Sequence, residues 1–376
     1  MMRKIVGWTV GMGVVVVAAS FGAEGDSPFH FHGYGEMHGH FPKEGVMDNR
    51  GQASELDFHR FVWGMGYEFS DTIRIDSEVD FEHAAGSMEL EYALIEMDLT
   101  DNVSLRVGSL LMPVGPLNEF HEPPNFYSVN RPRTYVSLIP QTWQENGAGL
   151  AGSFLDGRLS FRTYVVAGLS IGANGKNFST MDGVRGGRSK GNQGAADDLA
   201  AVGRIEVQVR EGFRVGASGY VGEVDQDDVS KAAFRGNARL GIGTADVHWR
   251  RGNVEMEGVF VRLDLDEAEK ISRLEGAPIG SVMQGGFVGA AYHYRPAWHE
   301  GWEFVPFTRW EKLDTNEDTP PGFNRDPEAR RWAVVGGLAF YPHPQVVLKA
   351  DVENWEDDAS WNDSLQRFNL GAAWMY

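Results

Sequence analysis

Residues Ile73–Glu82 read I-R-I-D-S-E-V-D-F-E, so Ile73, Ile75, Ser77, Val79 and Phe81 alternate with Arg74, Asp76, Glu78, Asp80 and Glu82. Side chains of an extended chain point to opposite faces in turn, which gives this decapeptide one apolar and one fully charged face. Working outward, residues 61–69 set Phe61, Trp63, Met65, Tyr67 and Phe69 against Gly64, Gly66 and Glu68. Residues 159–169 set Leu159, Phe161, Thr163, Val165 and Ala167 against Arg158, Arg162 and Tyr164. Residues 199–210 and 346–353 keep the same period. About sixteen such runs are found, centred near residues 35, 62, 77, 93, 107, 150, 164, 204, 218, 244, 258, 289, 307, 336, 350 and 370. Two are irregular: residues 88–99 change parity between Glu91 and Glu96, predicting a bulge or a shifted boundary, and residues 239–249 show no clear apolar face.

The connections alternate as well. Short turns such as 70–71, 100–102, 156–157, 210–212, 250–252 and 342–344 follow the even-numbered runs, and long polar or Gly/Pro-rich segments at 113–145, 170–198, 266–281 and 314–329 follow most odd-numbered ones. Short turns at one end and long loops at the other are the plan of an outer-membrane barrel. A soluble sandwich also alternates, so the faces have to be weighed. Runs of about nine to twelve residues match a tilted span better than a soluble strand of five or six. Aromatic residues gather at run ends, for example Tyr292, Tyr294, Trp302, Trp310, Trp332 and Phe340. The last run puts Phe368, Leu370, Ala372, Trp374 and Tyr376 on one face. The expected fold is all-β, a transmembrane antiparallel β-barrel of about sixteen strands with short periplasmic turns and long extracellular loops, apolar side chains toward lipid and polar ones toward the lumen.

Arg3 and Lys4 precede an uncharged apolar or small stretch over residues 5–19, which ends in small residues at Ser20, Gly22 and Ala23. That is the plan of a secretory signal, expected at 1–22 and leaving 23–376 as the barrel. The chain has no cysteine, which excludes thiol nucleophiles and Cys-ligated metals. Its 53 acidic and 34 basic side chains argue against a nucleic-acid partner. Removing Arg3 and Lys4 leaves 32 basic side chains and a formal charge of −21.

The segment RVGSLLMPVGPLNEFHEPPNFYSVNRPRTYVSLIPQTWQENGAGLAG from Arg106, with HGYGEMHGHF at 32–41 and IRIDSEVDFEHA at 73–84, resembles bacterial porins of the phosphate-selective family. The resemblance implies a trimeric, sixteen-stranded, water-filled channel whose third loop folds inward, with an arginine ladder in the lumen and a lysine cluster at its mouth and constriction. Residues 113–145 contain no lysine and the chain is acidic, so phosphate as the solute is not part of the expectation. The terminal pattern ending at Tyr376 resembles the signal read by the barrel-assembly machinery.

Strand parity assigns Arg74, Asp76, Glu78, Asp80, Glu82, Arg106, Arg158, Arg162, Arg204 and Arg214 to the lumen. The loop near 113–145, with six prolines, is too long for a plain connection, and its Glu119, His121, Glu122, Arg131 and Arg133 are the expected constriction, the arginines facing the two glutamates. His30, His32, His38 and His40 share a face with Glu36, and two His-x-His pairs can hold a divalent metal; the blander reading, polar lumen side chains near a terminus, is preferred, and no metal or cofactor is expected. Gly147-x-Gly149-x-x-Gly152 and Gly168-x-Ser170-x-Gly172 match nucleotide-binding and nucleophile-elbow patterns but lack the helix each needs. The function expected is a porin in the outer membrane of a Gram-negative bacterium, not an enzyme, whose partners are outer-membrane lipid, small polar solutes or ions, and two further copies in a homotrimer. The alternatives are a barrel hydrolase using Ser170 and a structural barrel that accommodates a partner protein.

Overall fold

A sheet in lipid has to close on itself, because an open edge would leave backbone N–H and C=O groups without partners. The computed structural model describes residues 27–43, 54–171, 176–226, 237–359 and 365–376, so the expected leader at 1–22 lies outside the described residues. Sixteen strands follow in order: β1 Phe29–Pro42, β2 Glu55–Glu68, β3 Ile73–Glu82, β4 Ser87–Thr100, β5 Val103–Leu111, β6 Gln144–Phe154, β7 Leu159–Ala167, β8 Leu199–Arg210, β9 Phe213–Glu223, β10 Arg239–Arg251, β11 Val254–Leu265, β12 Val282–Tyr292, β13 Glu303–Asp318, β14 Arg330–His343, β15 Val346–Asp357 and β16 Leu365–Met375. Each pairs antiparallel with its sequence neighbours, and β1 pairs with β16, closing the barrel. Every expected run centre falls inside its strand.

The short turns and the long loops segregate to opposite ends. One connection at the long-loop end is an exception: residues 83–86 join β3 to β4 with three successive left-handed residues, His83 at φ 50°, Ala84 at 54° and Ala85 at 70°. The parity change in β4 is a bulge. The β3–β4 register steps between Glu78↔Tyr92 and Val79↔Leu90, leaving Glu91 as the extra residue and turning it into the barrel. Outside, Phe61, Trp63, Val165, Trp310, Val334 and Val352 stand exposed in an apolar band. At the periplasmic end Trp302 stacks on His299 (centroids 3.9 Å) and meets Phe340 (5.0 Å).

The inward face is not polar all round, which corrects the expectation for one side. On β9 to β12 the inward positions toward the long loops are Tyr220, Leu240, Ile242, Val259, Val261, Leu263 and Met283, all buried. Loop side chains Tyr135, Leu138, Ile139 and Trp143 pack into the same core, with Ile271 of helix α1 (Ala268–Glu275). A wall covered by its own loops meets protein instead of water and is apolar for the ordinary reason. This also explains β10: Leu240 and Ile242 face inward beside Thr244, Asp246 and His248, and Gly243, Ala245 and Val247 face outward, so only half of the inner face is polar and the contrast is weak.

The seam that closes the barrel runs from Tyr34↔Met375 to Pro42↔Arg367. Gly33 and Tyr376 exchange two backbone hydrogen bonds beyond it (3.1 and 2.9 Å). Gly33 sits at φ 157°, and a Cβ there would lie 2.2 Å from the Val62 carbonyl oxygen. Gly33→Val is expected to destabilise the seam by about 2–4 kcal/mol, and the change reads out as loss of the compact, heat-modifiable band on unboiled gels.

Candidate functional site

Residues 112–143 connect β5 to the adjacent β6, a step that needs only a few residues. The segment instead crosses the barrel, and the backbone polar groups it brings inside require partners. Wall side chains supply them. Glu311 accepts from the Thr134 amide (2.5 Å) and hydroxyl (2.9 Å), and Asp351 accepts from the Val129 amide (2.6 Å). The Ser218 hydroxyl accepts from Gly115 N (3.1 Å). Donors serve the carbonyls: Lys349 Nζ donates to Pro123 O (2.7 Å) and Ser128 O (3.0 Å), and Tyr341 donates to Pro124 O (3.0 Å). Tyr127 donates to Glu255 (2.8 Å), so the loop is tied to β9, β11, β13, β14 and β15.

The five loop residues expected at a constriction are not grouped as arginine against glutamate. Glu119 pairs with Arg162 on β7 (3.1 Å), and Glu122 accepts from Asn125 within the loop (2.8 Å). His121 meets Glu91 on the β4 bulge and Tyr34 on β1 (3.2 Å). Arg131 donates to the His121 carbonyl (2.9 Å), and Arg133 lies over the Trp355 ring (5.8 Å). Acid and base are kept apart because the glutamates stand near β4 and β7, while Arg131 and Arg133 turn toward β1, β2 and β15.

Nine of the ten expected lumen residues do face inward from their strands. Arg74 bonds Glu96 and Asp98 (3.0 Å to the latter), Asp76 accepts from Tyr92 (3.2 Å), Glu78 meets His32 (3.2 Å), and Asp80 and Glu82 lie 3.8 and 3.5 Å from Arg60. Arg106 donates to Glu96 (2.7 Å), Arg204 to Asp246 (2.7 Å), and Arg214 stands 3.6 Å from Glu206. Arg158 is the correction: it is exposed in the turn 155–158, where Leu155 and Asp156 take left-handed φ of 55° and 54° and end strand parity one turn early. The inward arginines form a ladder whose charge is largely cancelled by wall carboxylates.

A different set of arginines stays together. Arg60, Arg131, Arg133, Arg185 and Arg367 border a cavity of about 200 Å³ on the extracellular side of the loop, shared with Glu36, Glu55 and Glu353, of which Glu36 lies 3.5 Å from Arg60 and Glu353 pairs with Arg367 (2.7 Å). Burial and the Arg60 guanidinium hold Arg131 below its ordinary pKa. Burial and the Arg185 guanidinium push Arg188 down to about 10. On the periplasmic side a second cavity, of about 600 Å³, borders Pro124, Asn125, Tyr127, Glu255 and Glu303. Phe126 borders the first cavity and its neighbours Asn125 and Tyr127 border the second, and Lys349 Nζ lies 3.9 Å from the Phe126 ring centroid. Arg60, Arg185, Lys349 and Glu91 were not singled out by sequence reading; only Glu91 left a signal, the break in parity.

For His121, burial opposes the charged form, but the Glu91 carboxylate and its hydrogen bond outweigh it, and the pKa is raised above 6.5. A raised imidazole pKa contributes stability that is complete below the unfolded value and is lost as pH rises through the folded one. The loop-to-wall contact at His121 is therefore expected to loosen in the alkaline direction from 6.5, seen as rising protease cleavage within 112–143 that His121→Gln makes independent of pH.

Ser170, on which a hydrolase reading rests, is buried, and among the described residues its hydroxyl has no hydrogen-bond partner. No protein-family description matches the sequence. The chain is 29% identical over 364 residues to an uncharacterized protein of Aquifex aeolicus (strain VF5), covering 92% of this chain and 79% of that one. It superposes on OmpF of Salmonella typhi in complex with daunomycin with a TM-score of 0.60 at 11% identity, covering 93% of this chain and 97% of that one. For the outer membrane channel DcaP of Acinetobacter baumannii the TM-score is 0.53 at 11% identity, over 95% and 100% of the two chains. For the trimer form of OmpT, an outer membrane protein of Vibrio cholerae, it is 0.56 at 10% identity, over 93% and 99%. The OmpT match corrects the expectation that the chain is not an enzyme: the fold extends beyond structures described as channels, and a fold does not assign or exclude an activity. What these likenesses establish is the fold, a closed sixteen-stranded antiparallel barrel shared with outer-membrane porins and channels.

Proposed function

We propose that the protein is a porin of the outer membrane of a Gram-negative bacterium, a water-filled channel for passive diffusion of small polar or ionic solutes. The observation that carries this reading is the loop 112–143, pinned across the lumen between two cavities by wall groups from five strands. A barrel that only filled its interior would need no charged pocket there; buried guanidinium groups are costly unless water or an ion reaches them. Glu119, His121, Glu122, Arg131 and Arg133 belong to the constriction in this proposal, and the paired wall charges to its lining. The arginine pocket favours anions at the narrowest region although the mature chain carries a formal −21, because an ion in transit responds to the charges within a Debye length and not to the total. The leader at 1–22, assembly as a homotrimer and docking of the strand ending at Tyr376 on the barrel-assembly machinery complete the proposal. Purified protein in a planar bilayer is expected to show stepwise openings of ohmic conductance, and a folded, heat-modifiable protein that stays silent overturns it.

A further inference from the structure

At the extracellular end, next to the arginine pocket, one stretch of wall changes chemistry. The β1–β2 register steps between Glu36↔Arg60 and His38↔Asp57, and the extra residue lets Asp57, His59 and Arg60 all turn inward while Leu56 and Phe58 stay outside. His83 comes from the tip of the 83–86 connection, in a left-handed conformation that costs a residue with a side chain about 1–2 kcal/mol. Its amide donates to the His59 carbonyl (3.1 Å), which fixes the tip against β2. The Asp57 carboxylate then lies 3.0 Å from His59 Nδ1 and 2.8 Å from His83 Nδ1, and all three candidate ligand atoms lie within 4.8 Å of one another. His38 stacks on His59 at 4.4 Å between centroids and holds Glu36 with its own Nε2 (2.8 Å).

As a surface ion pair such a group contributes little, so stability alone does not account for a strained tip that delivers a second imidazole to one carboxylate. We propose that Asp57, His59 and His83 bind a divalent first-row transition-metal ion of the zinc type at the outer mouth of the barrel. Zinc takes imidazole nitrogen at roughly 2.0–2.1 Å and carboxylate oxygen at roughly 2.0–2.2 Å, which separates tetrahedral ligand atoms by about 3.3–3.5 Å. The contacts present need to open by about half an ångström, and His83, half exposed on a hairpin tip, has room to move. Three protein ligands leave a fourth position to water, and two imidazoles with one carboxylate disfavour the hard ions calcium and magnesium. Each imidazole binds in its neutral form through the Nδ1 lone pair, so uptake releases any proton held there and weakens in acid. At the opposite end of the same wall His30, His32 and Asp76 form a second group within 4.8 Å, but His32 is already engaged by Glu78 (3.2 Å) and Tyr92 (3.2 Å), and it serves as the internal comparison.

The test is equilibrium dialysis of the full-length, detergent-folded barrel against zinc ions alone near neutral pH, a measurement independent of whether the barrel conducts. The His59→Ala/His83→Ala variant is expected to bind one equivalent less than the parent, and Asp57→Asn to bind that equivalent at least about tenfold more weakly, with calcium failing to compete. Should the double variant lose its heat-modifiable band, His83→Gln alone, at the exposed tip, reads the same loss. Parental stoichiometry and affinity in these variants, or loss of zinc in His30→Ala/His32→Ala only, overturns the proposal.

Discussion

Replacing Arg131 and Arg133 together by glutamine is expected to move permeation strongly toward cations. Both belong to the cavity of about 200 Å³ on the extracellular side of the inserted loop. Arg131 is held by a backbone carbonyl and Arg133 by an indole face, neither of which cancels a charge. The ladder arginines differ: Arg106, Arg162 and Arg204 each touch a carboxylate at 3.1 Å or less. A unit charge about 8 Å from a permeating ion contributes about 0.5–1 kcal/mol at an effective dielectric between about 40 and 80. Two such charges amount to about 1–2 kcal/mol, or about five- to thirtyfold in the partition of one ion. The shift is read as a reversal potential across a salt gradient and shrinks at high salt. Arg204→Gln, which removes a paired arginine, is expected to change it far less. An unmoved potential in the double variant places the solute route away from this pocket.

Lys349→Met is expected to enlarge the conductance without unfolding the barrel. Lys349 is buried on β15, where its ammonium bonds the carbonyls of Pro123 and Ser128 and faces the Phe126 ring. Methionine fills much of the volume but donates nothing, leaving two buried carbonyls unsatisfied at about 1–3 kcal/mol each. A loss of that size raises the population of a displaced segment 123–128 by about thirtyfold or more. The strand ladder around Lys349 is backbone and remains, so the heat-modifiable band is retained. Single-channel recordings are expected to show a higher and noisier open level. Parental conductance with an intact band would mean that Phe126 and its neighbours are not the barrier between the two cavities.

The fold was legible to an unusual degree for physical reasons visible in single strands. In Ile73–Glu82 the five charged residues do turn inward and the other five outward, because lipid and lumen are opposite solvents and a strand meets both. The bulge at Glu91 was legible as a break in parity, but not its outcome, a carboxylate aimed at His121. Strand β10 was hard to read because the half of its inner face at Leu240 and Ile242 is covered by loops and apolar, which leaves only Thr244, Asp246 and His248 to contrast with the outer side. Arg158 was misplaced because a four-residue turn consumed the position where the strand was expected to begin.

The candidate site divides along the same line. The inserted loop was expected from its length and its charged residues could be named from the sequence, but the groups they meet could not. Thr134 and Glu311 are 177 residues apart, Val129 and Asp351 222, and Lys349 and Pro123 226. The histidines show it too: the pairs at 30, 32, 38 and 40 are conspicuous on one strand, whereas the carboxylate with two imidazoles is assembled from β2 and a hairpin tip.

By itself the sequence determined a barrel of about sixteen strands, its two ends and the direction of most side chains, because alternation and turn length are local properties that hold whatever the rest of the chain does; the count of sixteen and the closure of β1 on β16 came from the structure. Only the tertiary structure decided which charges are cancelled and which remain to meet a solute, since electrostatic interaction depends on separation in space, and the lumen brings together groups from strands on opposite walls.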